Sequence, residues 1–288
     1  MHGIIRQVIN MKVGFIGLGI MGMPMATNVS KKFDLIGYDV VSKTAPFPLV
    51  SSIKEIIDNC DVVISMVPKN EHVMSVYQEA MPFVRKGQIF VEMSTISPSV
   101  SSNIALQIES KGADMLDCPV VKSQPAAISG TLGIYVGGKE DVYAKVKDIL
   151  SCMGCNIIHM GGHGAGLTMK ILHNALVGQI QNGVNEVMSI ASKLGIDLND
   201  FVTAISYGGG QNFYLDGKAK NIISGTYPTA FSVANMHKDA HLAEAMLKEN
   251  NLDYPGIANT VRIYDKAMEE GLGKEDFSAT FKVVNEGK

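Results

Sequence analysis

The segment KVGFIGLGIMGMPMATNVSKKF, Lys12 to Phe33, places three glycines at a spacing that few folds can use. A short apolar run, Lys12 to Ile16, enters Gly17, Gly19 and Gly22, and a helix-compatible stretch follows at once. Strand, tight turn and helix in that order open a βαβ unit. The first glycine allows the turn, the second lets a pyrophosphate approach the backbone, and the third lets helix pack on strand. The phosphates then lie at the helix N-terminus. A second apolar run, Asp34 to Tyr38, ends at Asp39, 22 residues beyond Gly17, where a carboxylate can accept hydrogen bonds from ribose hydroxyls. Three glycines alone make only a tight turn; with this context they predict a dinucleotide site. Gly17, Leu18, Gly19, Ile20, Met21, Gly22 and Asp39 are its expected lining. Asp39 would repel a 2′-phosphate, so NAD is expected as cofactor, with NADP left possible by the nearby Lys43.

Further buried-strand patterns recur at Asp61 to Pro68, Gln88 to Glu92, Asp114 to Asp117, Leu132 to Val136 and Asn156 to His159. Helical patterns separate most of them, notably over 71–84, 97–112 and 140–154. From Gly166 the strand pattern stops. Leu167 to Gly195 carries one long helix-type periodicity, and helical segments continue to the C-terminus. The prediction is an α/β N-terminal Rossmann domain with a mostly parallel sheet (11–162), followed by an all-α C-terminal domain (163–288) opened by one long helix.

The totals narrow the partners. A chain of 288 residues with 46% apolar and 18% charged residues is too apolar for disorder. A net charge of -3 without a Lys/Arg cluster argues against nucleic acid. The longest apolar runs are of strand length, so no membrane role is read. Residues 1–10 lack the apolar core of a secretory signal, and Met11 is an alternative or true start. Four cysteines are few for a disulfide framework, which points to a reducing compartment and a cytoplasmic location. Cys152 and Cys155 have CxxC spacing but no second pair, so they read as a loop pair and no metal site is expected.

One cation stands out in the long apolar helix. Lys170 and Asn174 are i and i+4 neighbours, with Gln181 near the same face. A lysine there can snorkel its head to solvent. If held inside, desolvation disfavours the ammonium and makes the group a usable proton donor and acceptor. An enzyme that oxidises an alcohol needs one group to take the hydroxyl proton and a neighbour to hold the oxygen in line. Lys170 and Asn174 suit those two roles.

With GLGIMGMPM, Met93 to Pro98 (MSTISP), DCPV at Asp117 and GAGLTMKILHN from Gly164 in view, the sequence resembles the β-hydroxyacid dehydrogenase family from about Met11 onward. The resemblance implies a small 3-hydroxy acid or semialdehyde as substrate, Lys170 as essential acid/base and Asn174 as its substrate-orienting neighbour. It also implies Thr95 beside the nicotinamide, Val67 and Pro68 lining the cofactor, and Lys238 approaching cofactor and substrate from the second domain. The family's usual PVSGG or PVSGS is here Pro119 to Ser123 (PVVKS), so Lys122 and Ser123 are the expected substrate contacts in an altered loop. His173 replaces a common asparagine. The short Val40 to Ser52 connection leaves little room for a helix, so an open adenine edge is expected. A homodimer or homotetramer is expected as well. Alternatives are an NADPH-dependent semialdehyde or imine reductase, against whose imine-reducing branch Lys170 weighs, or a catalytically silent cofactor-binding sensor, against which the intact Lys170 and glycine loop weigh.

Overall fold

Each strand-like run of the first half becomes a strand in the computed structural model, which describes residues 11–285. The reading of Met1 against Met11 as the start therefore lies outside the described residues. The strands are β1 Val13–Ile16, β2 Leu35–Tyr38, β3 Val62–Ser65, β4 Ile89–Glu92, β5 Asp114–Asp117, β6 Val120–Val121, β7 Leu132–Gly137 and β8 Gly154–Gly161. They form one sheet in the order β2-β1-β3-β4-β5-β7-β6, with β8 on β7. The first five pair in parallel, β7 runs antiparallel to β5 and β6, and β8 is parallel to β7.

Alternate side chains of these strands enter two separate cores. Val13, Phe15, Val62, Ile64, Ile89 and Val91 point to one face, while Ile16, Val63, Phe90 and Met115 point to the other. Helices cover both faces, which is why the strands read as continuously apolar. These helices are α1 Gly22–Ser30, α2 Ile53–Asn59, α3 Asn70–Ala80, α4 Pro98–Ser110, α5 Gln124–Ser129 and α6 Glu140–Leu150. The sequence pattern did not mark α2, α5 or β6, which are short. Cys155 lies on β8 rather than in a loop, which corrects the reading of Cys152 and Cys155 as a loop pair.

No helix lies between β2 and α2. The expected open edge is nonetheless partly filled, because Pro48 and Val50 exchange backbone hydrogen bonds with Gly37 and Phe47 is buried. A Cβ on Gly37 would lie 2.7 Å from Phe47 Cε2, so this strand position needs glycine. Val40 and Val41 remain exposed.

The second half is helical: α7 Ala165–Lys193, α8 Leu198–Ile205, α9 Phe213–Ser224, α10 Val233–Glu249, α11 Pro255–Glu269 and α12 Thr280–Asn285. Two compact units divide inside α7, one ending at Lys170 and the other beginning at Ile171. The expected boundary at residues 162 and 163 instead follows the change from strand to helix. In the second unit Val184, Met188, Tyr214, Val233, Met236, Ile263, Tyr264 and Phe277 build the core. Gln181 is drawn into it, its amide bonding Phe277 O (2.7 Å), Thr280 and Tyr264. Its place near the face of Lys170 thus serves packing. Among the described residues no helix is long and apolar enough to cross a membrane.

Candidate active site

The first four parallel strands deliver their loops to one edge of the sheet, and β1 lies between β2 and β3, where the chain reverses its winding direction. Such a crevice beyond the carboxyl ends of parallel strands is where doubly wound sheets take ligands. Gly17 leaves β1 at φ 92°, and a Cβ there would lie 2.3 Å from Met66 O, so the turn rests directly on the end of β3. A Cβ on Gly22 would fall 1.9 Å from Gly17 O. Both glycines are steric necessities of the turn. Gly19 differs, because a Cβ there meets no protein atom within 4 Å. Its bare backbone faces open space at the start of α1, where a phosphate can approach N–H groups that have no partner inside the helix. The cradle therefore fits a dinucleotide.

Asp39 is tied to this loop. Its Oδ2 accepts from Leu18 N at 2.7 Å and its Oδ1 from Val41 N at 2.8 Å. Each oxygen keeps a further lone pair that ribose hydroxyls can use. Leu18 gives its backbone to the loop while its side chain is buried; Ile20 is exposed and Met21 packs against the core. After β3, Val67 is half-buried and Pro68 exposed. Val67 N donates to Ser94 Oγ at 2.8 Å, and Ser94 N donates to Glu92 Oε1 at 2.7 Å. The loops after β3 and β4 are locked together in this way, with half-buried Thr95 next in the chain. Glu92 is wholly buried, and its Oε2 also accepts from Ser65 Oγ at 2.6 Å. Burial pushes its carboxyl above the ordinary value, against the hydrogen bonds from Ser65 and Ser94.

Asp117 ends β5 and starts α7. Its buried carboxylate accepts from Gly164 N on Oδ1 and from Leu167 N on Oδ2, both at 2.7 Å. That capping sets the direction of the helix one turn before Lys170. Burial pushes the Asp117 carboxyl up, while His163 and the two amide donors act in the opposite sense. His163 itself touches Ser101 Oγ (2.9 Å) and Met115 O (3.3 Å). A Cβ on Gly166 would come 2.6 Å from Tyr135 O and 2.8 Å from Asp117 O, so the helix meets the sheet backbone to backbone.

On α7 Lys170 and Asn174 are both buried, at 8% and 7% exposure, one turn apart on one face. His173 is half-buried. In the second unit, Asn174 Nδ2 donates to Asp239 Oδ2 at 2.5 Å. An ionised carboxylate only accepts, so this bond fixes the amide with its oxygen turned the other way. Lys238, half-buried on α10, pairs with Asp239 Oδ1 at 3.1 Å.

The altered loop holds a backbone peculiarity. Lys122 has φ 77° and is exposed, with its Nζ donating to Thr131 O at 2.7 Å. The left-handed backbone expected of a glycine is thus taken by a lysine, and its cation sits on the carbonyl of Thr131, just before β7. Ser123 precedes α5, and its C=O accepts from Ala126 N. Glu92, Asp117 and Asp239 were given no role of their own from sequence. For Glu92 and Asp117 the signal was a carboxylate in an otherwise apolar strand, QIFVE and DMLD, which has to be paired once buried; Asp239, in a helix rich in charged residues, had no such signal.

Residues 12–162 match the family described as the NAD binding domain of 6-phosphogluconate dehydrogenase. Residues 164–284 match the family described as NAD-binding of NADP-dependent 3-hydroxyisobutyrate dehydrogenase. The chain is 33% identical over 285 residues to 2-(hydroxymethyl)glutarate dehydrogenase of Eubacterium barkeri, covering 95% of each protein. It is 32% identical over 283 residues to 2-hydroxy-3-oxopropionate reductase of Escherichia coli, covering 95% of this chain and 97% of the relative. The solved structure of 3-hydroxyisobutyrate dehydrogenase from Mycobacterium tuberculosis with L-serine superposes with a TM-score of 0.88 at 27% identity, covering 95% of this chain and 99% of that one.

Proposed function

The chain belongs to the β-hydroxyacid dehydrogenase family, and from that premise we propose that it interconverts a small 3-hydroxy acid and the matching semialdehyde with a nicotinamide dinucleotide. The observation that carries the reading is the buried pair Lys170 and Asn174, one turn apart on a helix capped by Asp117. When bound, the nicotinamide supplies or takes up the hydride. Everything else is the work of this chain's residues. In oxidation Lys170 Nζ takes the hydroxyl proton of the substrate; in reduction it returns a proton to the carbonyl oxygen. Asn174, its amide oriented by Asp239, holds that oxygen in line with Nζ.

The remaining residues bind. Backbone N–H groups of the Gly19 to Gly22 stretch hold the pyrophosphate, those of Gly17 and Leu18 being taken by Tyr38 O and Asp39, and Asp39 takes the ribose hydroxyls, which favours NAD over NADP. Val67, Pro68 and Thr95 line the nicotinamide, and Lys238 is a further cofactor contact in this reading. Lys122 and Ser123 belong to the substrate loop. A cytoplasmic location is expected, and a homo-oligomer as well: Leu172, Leu176, Val187 and Ile190 lie exposed along α7 and Leu194 just past its end, an apolar stripe suited to a second copy.

The test is Lys170→Ala, assayed with a panel of 3-hydroxy acids and semialdehydes against NAD(H) and NADP(H) at the nicotinamide absorbance. Turnover should be abolished while cofactor binding, read by fluorescence, survives. Full activity in the variant would sink the role given to Lys170. A wild-type chain that binds cofactor but turns over no member of the panel would remove the proposed substrate class.

A further inference from the structure

Helix α10 carries a second constellation that the proposed chemistry does not use. His237 and His241 are i and i+4 on one helix face, and α11, packed beside it, presents Asp265 to both. Nε2 of His237 lies 2.8 Å from Asp265 Oδ1, and Nε2 of His241 lies 2.7 Å from the same oxygen. The imidazole rings meet edge to face with centroids 4.5 Å apart. One ligand atom from each of the three residues fits within a 4.8 Å span. Side-chain exposures of 29%, 40% and 44% leave the cluster reachable from solvent.

We propose that His237, His241 and Asp265 form a binding site for a divalent transition-metal cation of the Zn²⁺ type, joining α10 to α11. The donor set is two imidazoles and one carboxylate, which suits a borderline cation rather than Mg²⁺ or Ca²⁺. Histidines four residues apart on a helix present both nitrogens to one ion. Bonds of about 2.0–2.1 Å in tetrahedral geometry need ligand atoms about 3.3 Å apart, so each Nε2–Oδ1 pair opens by roughly half an ångström while the wider span, up to 4.8 Å, closes toward the same separation to admit the ion. Water fills the fourth position. Binding through Nε2 leaves Nδ1–H of His241 toward Glu244, whose Oε2 is 3.8 Å away and which is itself paired with Lys248 at 3.0 Å. A carboxylate behind a ligating histidine orients the ring and raises its basicity. Lys238 and Asp239 lie between the two histidines in sequence, so the ion would pin the helix that carries them.

The experiment uses the full chain in a Cys152→Ser, Cys155→Ser background, because those thiols are the competing soft ligands, and without a histidine tag. Zn²⁺ binding is measured by competition with a chromogenic chelator, with Co²⁺ absorbance as a second readout. One ion per chain is expected, stripped by EDTA, with a rise in Tm when the ion is bound. His237→Ala, His241→Ala and Asp265→Asn should each weaken binding more than tenfold, and Glu244→Gln by about tenfold. Co²⁺ should give tetrahedral d–d bands in the parent. Zn²⁺ affinity unchanged in the triple variant, or absence of the tetrahedral Co²⁺ bands from the folded parent, overturns the proposal; the Co²⁺ readout stands even if a variant fails to fold.

Discussion

Replacing Asp117 tests whether a buried cap, rather than the helix's own propensity, fixes α7. The carboxylate is wholly buried and accepts two backbone N–H groups at 2.7 Å each. Asp117→Ala leaves both donors buried without that acceptor, at about 1–3 kcal/mol each. Relief of the carboxylate's own burial, the cause of its raised pKa, offsets part of that sum. The net expectation is a loss of about 3 kcal/mol, above the ~1 kcal/mol typical of an exposed cap. Asp117→Asn keeps one accepting oxygen but turns an NH2 toward the second donor, so it should lose about 1.5–3 kcal/mol. Leu167 is one turn before Lys170, so a tilt of the first helical turn also displaces Nζ. A displacement of about 1 Å can cost on the order of a hundredfold in rate. Urea unfolding gives the stability of wild type, Asn and Ala variants, and kcat is measured where all three are folded. An Ala variant within about 0.5 kcal/mol of wild type refutes the cap, given that surface substitutions fall in that range. Stability lost without any fall in kcat would show instead that the cap does not position Lys170.

Asp39→Ala should lower the NAD preference over NADP by at least about tenfold, measured as the ratio of kcat/KM values, since a carboxylate that meets ribose hydroxyls also repels a 2′-phosphate; an unchanged ratio removes Asp39 from the ribose. Lys122→Gly should leave Tm unchanged or raise it, because relief of the left-handed backbone at φ 77° is worth about 1 kcal/mol against one exposed hydrogen bond to Thr131; a clear fall in Tm would show that the Lys122 ammonium anchors the segment between β6 and β7. For Asp276, burial acts to raise the carboxyl, but bonds from Lys218 and Ser278 outweigh it and hold the group below 3.8. A depressed carboxylate stabilises the fold above its unfolded pKa, and that contribution is lost as pH falls through the folded value. Wild-type Tm should therefore drop below about pH 4 more steeply than that of Asp276→Asn, which at pH 7 should already be about 3–5 kcal/mol less stable with Lys218 unpaired. Equal acid slopes in thermal melts would count against the assignment.

The legible part of this chain is the part where one local rule suffices. Continuous apolar runs gave the parallel strands because both sheet faces are covered, and the glycine spacing gave the turn because Gly17 and Gly22 have no room for a Cβ. The long helix was legible from its periodicity. What stayed hidden depends on partners distant in sequence. Asp117 meets residues 47 and 50 positions away, Asn174 meets Asp239 across 65, and Gln181 turns to Phe277 across 96. Helix periodicity places Gln181 near Lys170's face but says nothing of which neighbour claims its amide. Short elements were hidden for another reason: β6 has two residues and α5 six, too few for either period to register.

The loop from Pro119 to Ser123 departs from the family pattern at Val121 and Lys122, and the structure accommodates both. Val121 is accommodated because position 133 opposite is glycine; a Cβ there would lie 2.4 Å from Val121 Cγ2. Lys122 adopts the left-handed conformation that a glycine takes without strain. The new cation rests on Thr131 O, a neutral acceptor at an exposed position. A substrate carboxylate would compete with that carbonyl for the same ammonium, and a charged acceptor makes the stronger bond. Swinging Lys122 to an anion therefore costs about 1 kcal/mol of neutral hydrogen bond and regains about 1.5–3 kcal/mol in a charge-assisted one. If the loop meets substrate as proposed, that balance favours an anionic one, taken by the Lys122 ammonium in exchange for Thr131 O.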